Sequence, residues 1–250
     1  MSLGRSQSAL FAEQTYEMVG KGGKQRRISR INKNIEKTGF RVAGQYSGRD
    51  VVAFVNDETK QLHISHRGTD ISGKRTKQDL HSDFNIAMGT TAKDAHFKTR
   101  TAKTQEAVDA FPDYSVTASG HSLGGKSLTT SLATNKKLRE RITHADTFNS
   151  GATVFKEREL RNLSDDGVKQ MKDKIVHHRT QGDIVSKAMT FKKPMGRVKT
   201  YREKKDKTPD QSEKLSVGLG NVLRVENAAE ALHAHKMDHF YNKFKYHDEE

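Results

Sequence analysis

Cysteine is absent from the 250 residues, which removes disulfides, cysteine-based metal sites and a thiol nucleophile. A reducing compartment is compatible with that absence. Apolar residues are also scarce, with hydrophobic types at 32% and a mean hydropathy of -0.87. No run approaches the roughly 18 apolar residues that span a bilayer. The N-terminal stretch "MSLGRSQSALFAEQTYEM" has no apolar signal core. The expectation is a soluble, intracellular protein with no cleaved export signal. The apolar residues that are present cluster in short strand-like runs, and a chain of this length can bury one sizeable core. A single domain over 1–250 is expected, with heavily solvated loops. No internal repeat is found.

Positive charge is what the chain has in excess. Forty-five Lys and Arg stand against 31 Asp and Glu, a formal charge of +14. Such a surface attracts nucleic acid, an anionic membrane or a phosphate-bearing substrate, and charge alone does not choose among them. The basic residues gather in "KGGKQRRISRINK" (Lys21 to Lys33), "GKRTK" (Gly73 to Lys77) and "KKPMGRVKTYREKKDK" (Lys192 to Lys207). Each reads either as a solvated face or as a binding patch. The second and third hold few aromatics on which bases could stack.

Element types alternate along the chain. "ALFAEQTYEMV" has a helical pattern, and "VVAFV" and "QLHIS" read as strands joined by the turn "NDETK" (Asn56 to Lys60), an antiparallel hairpin near the N-terminus. A long helix is expected over Ala92 to Phe111, ended by Pro112. Strands follow at "YSVTAS", "HADTFNS" and "KIVHHRT", with helical spacing between the first two. Strands separated by helices imply an α/β fold with a mostly parallel sheet and helices on both faces. "REKKDKTPDQSEK" (202–214) is polar enough to be a mobile loop.

The chemistry concentrates in "SGHSLGGKS". A β-prone run enters it and a helical run, with Leu128, Leu132 and Ala133 on one spacing, leaves it. In a nucleophile elbow the serine is strained at the strand-to-helix turn, and small residues are needed two positions to either side. Gly120 and Gly124 occupy those positions around Ser122. The turn would aim the Leu123 N–H into the site, where a helix N-terminus favours developing negative charge. The plain alternative is a serine in a Gly-rich loop.

A serine hydroxyl needs a histidine to take its proton and a carboxylate to orient that histidine. Asp183, just past a predicted strand, suits the second role, although a turn or N-cap aspartate would look the same locally. In "ALHAHKMDHFY", His235 and His239 are four apart and would share a helix face. That spacing also suits a metal pair, but Lys236 stands where H-E-x-x-H requires Glu.

The order of "HISHRGTD", "GHSLGG", "DTFNSGA", "HHRTQGDIVSK" and "AHKMDHF" resembles the class 3 lipase family of α/β-hydrolases, over roughly Val51 to Phe240. The resemblance implies an α/β-hydrolase fold with Ser122 as nucleophile, Asp183 as acid, His235 as base with His239 as the alternative, and Thr69 with Leu123 as the oxyanion hole. Asp83 corresponds to a structural aspartate after the lid segment. It implies hydrolysis of lipid acyl esters, acylglycerol or phospholipid, through an acyl-enzyme and with no cofactor or metal. Two departures bear on substrate. His66 stands where the family has an apolar aromatic, so a more polar pocket edge is expected. "DISGKRTKQDLHSDF" stands where many lipases carry an apolar lid, and this basic stretch suits phosphate, carboxylate or anionic headgroups. The competing class is a non-catalytic hydrolase-like module that binds nucleic acid or anionic membrane.

Overall fold

A computed structural model describes residues 3–69, 95–150, 163–181, 183 and 194–201, with the backbone of 213–217 and 221–225. The hairpin forms where its alternation and turn residues require it. Strands β2 (Val51–Asn56) and β3 (Gln61–His66) pair antiparallel from Val51↔His66 to Asn56↔Gln61. Asn56 Oδ1 accepts the N–H groups of Glu58 (3.1 Å) and Thr59 (3.0 Å), and Lys60 closes the turn at φ 51°. A short β1 (Arg41–Val42) extends the sheet antiparallel on the outer side of β2.

From β3 onward the pairing is parallel. Strands β4 (Ser115–His121), β5 (Ile142–Phe148), β6 (Ile175–Thr180) and β7 (Arg197–Tyr201) follow in chain order, completing a seven-stranded sheet β1-β2-β3-β4-β5-β6-β7. Helices make the crossovers: α3 (Ala95–Ala110) joins β3 to β4, α4 (Leu123–Thr134) and α5 (Lys136–Arg141) join β4 to β5, and α6 (Asp165–Lys174) precedes β6. The helical run that follows Ser122 breaks at Asn135, whose side chain accepts Leu138 N–H at 3.1 Å and caps α5. Of the polar stretch 202–214, residues 202–212 lie outside the described residues. Glu213 and Lys214 open β8 (Glu213–Val217), which pairs antiparallel with β9 (Asn221–Val225). Among the described residues no helix is long and apolar enough to cross a membrane.

Period-two alternation separates two cores. Val51, Ala53, Val55, Leu62, Ile64, Val116 and Ala118 face α3 and α4, with Ala107, Val108, Leu128 and Leu132. On the other face Val52 and Phe54 meet Phe11 of α1 (Arg5–Gln14) and Ile28 and Ile31 of α2 (Lys24–Asn34). Helices therefore cover both faces, as the alternation of elements implied.

Under α1 the middle of the sheet is polar, a feature absent from the sequence-based expectation. His63 lies 2.8 Å from Thr117 Oγ1 and 2.8 Å from Ser119 Oγ, which is itself 2.8 Å from Ser65 Oγ. Farther along, Asp146 Oδ1 accepts from His178 Nε2 at 2.8 Å and lies 3.1 Å from His144 Nε2, while Tyr201 Oη is 2.9 Å from His178 Nδ1. Burial alone would raise the Asp146 carboxyl, but the hydrogen bonds from His144 and His178 outweigh it and hold it well below the usual range. Burial pushes His63 down to about 3, so it is neutral at pH 7.

Candidate active site

Parallel strands place all their C-terminal ends at one edge of the sheet, the edge where α/β folds bind ligands. Ser122 stands there, between the last residue of β4 and the first of α4, with φ 53° and ψ -123°. A side chain is disfavoured at that backbone conformation. The surroundings hold it: Ser122 N–H donates to Phe148 O on β5 at 3.0 Å, and Ser122 O accepts from Lys126 N at 3.2 Å.

The glycines are required by close approach. A Cβ on Gly120 would lie 2.6 Å from the Gly124 carbonyl carbon, where strand meets helix. One on Gly124 would run into the His66 carbonyl oxygen at the end of β3, and one on Gly125 would lie 2.7 Å from Ser150 Cβ. The turn is thus packed between its own strand, its own helix and the ends of both neighbouring strands.

The segment after β3 flanks the serine. A methyl on Gly68 would meet Tyr16 Oη, His121 O at 2.7 Å and Ser122 Cβ at 3.1 Å. Thr69 follows, half-buried. Arg67 points away and anchors the segment: Nε donates to Arg49 O at 2.9 Å and Nη2 pairs with Asp50 at 3.0 Å. From α3, Arg100 Nη1 donates to Arg67 O at 2.5 Å and Nη2 reaches Asp50 at 3.3 Å. Burial opposes ionisation of Asp50, but the charges of Arg100 and Arg67 and the bond from Arg67 prevail and lower its pKa. Burial lowers Arg100 to about 10, which leaves it charged at neutral pH.

His66 corrects an expectation. It was expected to make the pocket edge polar, yet it faces the opposite side of the sheet, fully buried against α3 and α4. Nε2 lies 2.8 Å from Thr104 Oγ1, and Thr104 already donates to Arg100 O, so His66 is the donor of that pair. Nδ1 then accepts from Ser127 Oγ at 3.2 Å. Burial pushes His66 down to about 3, so it is a neutral core residue that ties β3 to two helices.

Asp183 is fully buried just beyond β6, with its N–H donating to Thr180 O at 3.2 Å. Its strand is two places from that of Ser122, a separation of roughly 10 Å at about 4.8 Å per strand. An imidazole with a hydrogen bond at each end can bridge such a gap when the two side chains lean toward it. The structure therefore brings Ser122, Leu123, Thr69 and Asp183 to one edge. His235, His239, Asp83, the lid segment and "GKRTK" lie outside the described residues, as does half of "KKPMGRVKTYREKKDK". Among the described residues, no group of three His, Cys, Asp or Glu could hold a metal ion.

Three residues of this edge were missed in the sequence. Tyr16, in a 3-10 turn (Thr15–Val19), sets its Oη 2.7 Å from His121 Nδ1, beside the serine, and its ring lies 6.0 Å from the Arg67 guanidinium carbon. No local signal marks it. Arg100 and its partner Asp50 were more legible. Phe97, Arg100, Thr104 and Ala107 are buried at helical spacing, so Arg100 sits on the inward face of α3.

The chain is similar to known proteins. A family model described as lipase (class 3) matches residues 63–193. No curated protein sequence matches the chain. Among solved structures the chain is similar to lipase II from Rhizopus niveus, with 17% identity over 75% of each chain and a TM-score of 0.45. It is also similar to the nonglycosylated LIP2 lipase of Yarrowia lipolytica, with 14% identity over 74% of this chain and 73% of that one and a TM-score of 0.43. A fungal lipase shares 14% identity over 93% of each chain with a TM-score of 0.48.

Proposed function

The chain belongs to the class 3 lipase family and is an ester hydrolase of lipase type that acts on lipid esters; from that premise we propose that Ser122 is its nucleophile. The observation that carries this reading is the strained backbone of Ser122 at the packed turn between β4 and α4, at the sheet edge where a side chain at position 68 would lie 3.1 Å from its Cβ. Asp183 is read as the acid that orients the base, His235 as the base and His239 as its alternative. The N–H groups of Thr69 and Leu123 are read as the oxyanion donors. Leu123 opens α4, so its N–H is among those a helix leaves without an intrahelical partner.

In this reading Ser122 Oγ attacks the acyl carbon while His235 takes its proton, and the carbonyl oxygen becomes an oxyanion held by the two N–H groups. Collapse breaks the ester bond, the alcohol leaves with the proton from His235, and an acyl-serine remains. Water then repeats the sequence and releases the fatty acid. The whole chain 1–250 is read as one catalytic domain. Within lipid esters, the basic surface favours phospholipid or other anionic assemblies over neutral acylglycerol. Family membership leaves the non-catalytic binding module without support.

The test is covalent. A fluorophosphonate should label folded wild-type protein at Ser122 and leave Ser122→Ala unlabelled. His235→Ala should lower kcat by several orders of magnitude and His239→Ala far less. Labelling at another residue would remove Ser122 from the role, and the reverse ranking of the histidines would move the base to His239.

A further inference from the structure

Helix α2 carries its charges where folding alone disfavours them. Helix α6 follows the usual arrangement: Ser164 caps it, Asp165 and Asp166 stand in its first turn, and Lys172 and Lys174 in its last. Helix α2 begins after Gly23 with no side-chain cap and no acid in its first turn, where Lys24, Arg26 and Arg27 stand instead. Lys21 precedes them. Lys21, Lys24 and Arg26 are exposed and Arg27 is half-exposed. The nearby Glu17 is engaged by Arg30 at 3.3 Å, and Arg30 also donates to Lys21 O at 2.9 Å.

The fold places this cluster beside the candidate site. The 3-10 turn that carries Tyr16 leads directly into it, and Tyr16 Oη meets His121 next to Ser122. From Tyr16 to Lys21 the chain path is at most roughly 13 Å, three 3-10 steps and two extended ones. Helix α2 then runs away, roughly 16 Å over its eleven residues. Its far end leads to Gly39, whose Cβ position is 3.0 Å from Asn56 Nδ2 at the opposite edge of the sheet. The cations at the helix start therefore share an edge with Ser122, and Lys33 and Lys37 do not.

We propose that Lys21, Lys24, Arg26 and Arg27 form a docking corner for an anionic lipid surface, which turns the Ser122 edge of the sheet toward the layer holding its substrate. The proposal rests on the lipase reading of that edge. An anionic surface supplies the charge that the start of α2 lacks, and a lipid layer is the form in which a lipid ester is presented. Each cation near such a surface raises binding about fivefold, an effect screened over a Debye length of about 8 Å at physiological salt.

The test compares two triple variants with equal charge loss. Lys21→Gln, Lys24→Gln and Arg26→Gln removes the corner, whereas Lys33→Gln, Lys37→Gln and Lys136→Gln removes exposed charge elsewhere. Co-sedimentation with phosphatidylserine/phosphatidylcholine vesicles at low salt should fall on the order of 100-fold for the first variant and by less than tenfold for the second. Hydrolysis of an ester dispersed in those vesicles should follow binding. Hydrolysis of a soluble short-chain nitrophenyl ester should match wild type in both, which also shows that the variants fold. Equal losses in the two variants, wild-type binding by the first, or equal wild-type binding to pure phosphatidylcholine vesicles would overturn the proposal. So would a corner-dependent preference for a duplex oligonucleotide over the vesicles. Failure of wild type on the soluble ester would instead count against the lipase reading of Ser122, while the vesicle arm still decides docking.

Discussion

At Ser122 the proposed role and backbone comfort conflict. Its φ of 53° and ψ of -123° suit the first central position of a type II′ turn, where glycine is preferred. The serine is held there by Gly120, Gly124 and Gly125, which let two strands and a helix close around it. Removing the side chain should relieve the strain. Both Ser122→Gly and Ser122→Ala are expected to lose ester hydrolysis, but the glycine variant should be more stable than the alanine variant by about 1 kcal/mol, a Tm difference of roughly 2–4 °C. Thermal melts of the two proteins decide this, and equal or reversed Tm values would show that the turn stores no such strain. The need for glycine at 120 and 124 was legible in the sequence. That the His66 carbonyl at the end of β3 is what excludes a side chain from Gly124 was not, because it depends on strand order.

Helix α3 is more than a crossover, because Arg100 hydrogen-bonds the Arg67 carbonyl two residues before Thr69 and shares Asp50 with Arg67. Truncating a buried charge that holds both a carboxylate and a carbonyl typically costs about 3 kcal/mol or more. Arg100→Met is expected to lower stability by about that amount in urea unfolding. It should also reduce kcat more than it changes KM, since the Arg67–Thr69 segment loses its anchor. A stability loss with kcat unchanged would detach α3 from the oxyanion role proposed for the segment. At this scale the hairpin, the parallel strands and α3 were legible, because alternation and turn residues are local properties. The break at Asn135 and the inward role of His66 were not, since both depend on which neighbours the fold brings up.

Across the whole molecule, buried histidines tie stability to pH. Burial pushes His63 and His66 down to about 3 and His177 down to about 4. The unfolded chain binds these protons from about 6.5 downward, so between about pH 6.5 and 4 unfolding takes up protons and stability falls as the pH falls. Three such protons correspond to roughly 4 kcal/mol per pH unit well inside that window. The lowered Asp146 extends the loss below about pH 4. The hydrogen bond to Asp146 raises His144, whose contribution is present below about 6.5 and is lost as pH rises through its folded value. Urea midpoints should therefore drop steeply from pH 7 to pH 5, and a flat profile would contradict the neutral buried state of these rings. None of this was visible in composition, because a histidine in a strand looks the same whether it faces water or a helix.

The polar layer beneath α1 also orders events during synthesis. Ala9 and Ala12 of α1 pack against Phe148, and Phe11 lies over His63 with ring centroids 5.1 Å apart. The helix leaves the ribosome before β5, and Phe148 is made more than a hundred residues later. At about 5–20 residues per second that delay is on the order of ten seconds. Until β4 and β5 exist, Phe11 has no completed sheet to cover, and His63, Ser119 and Asp146 stay wet until the helix closes over them. Helix α1 is therefore made well before the strand it docks on, and it stays open to a chaperone until β5 follows.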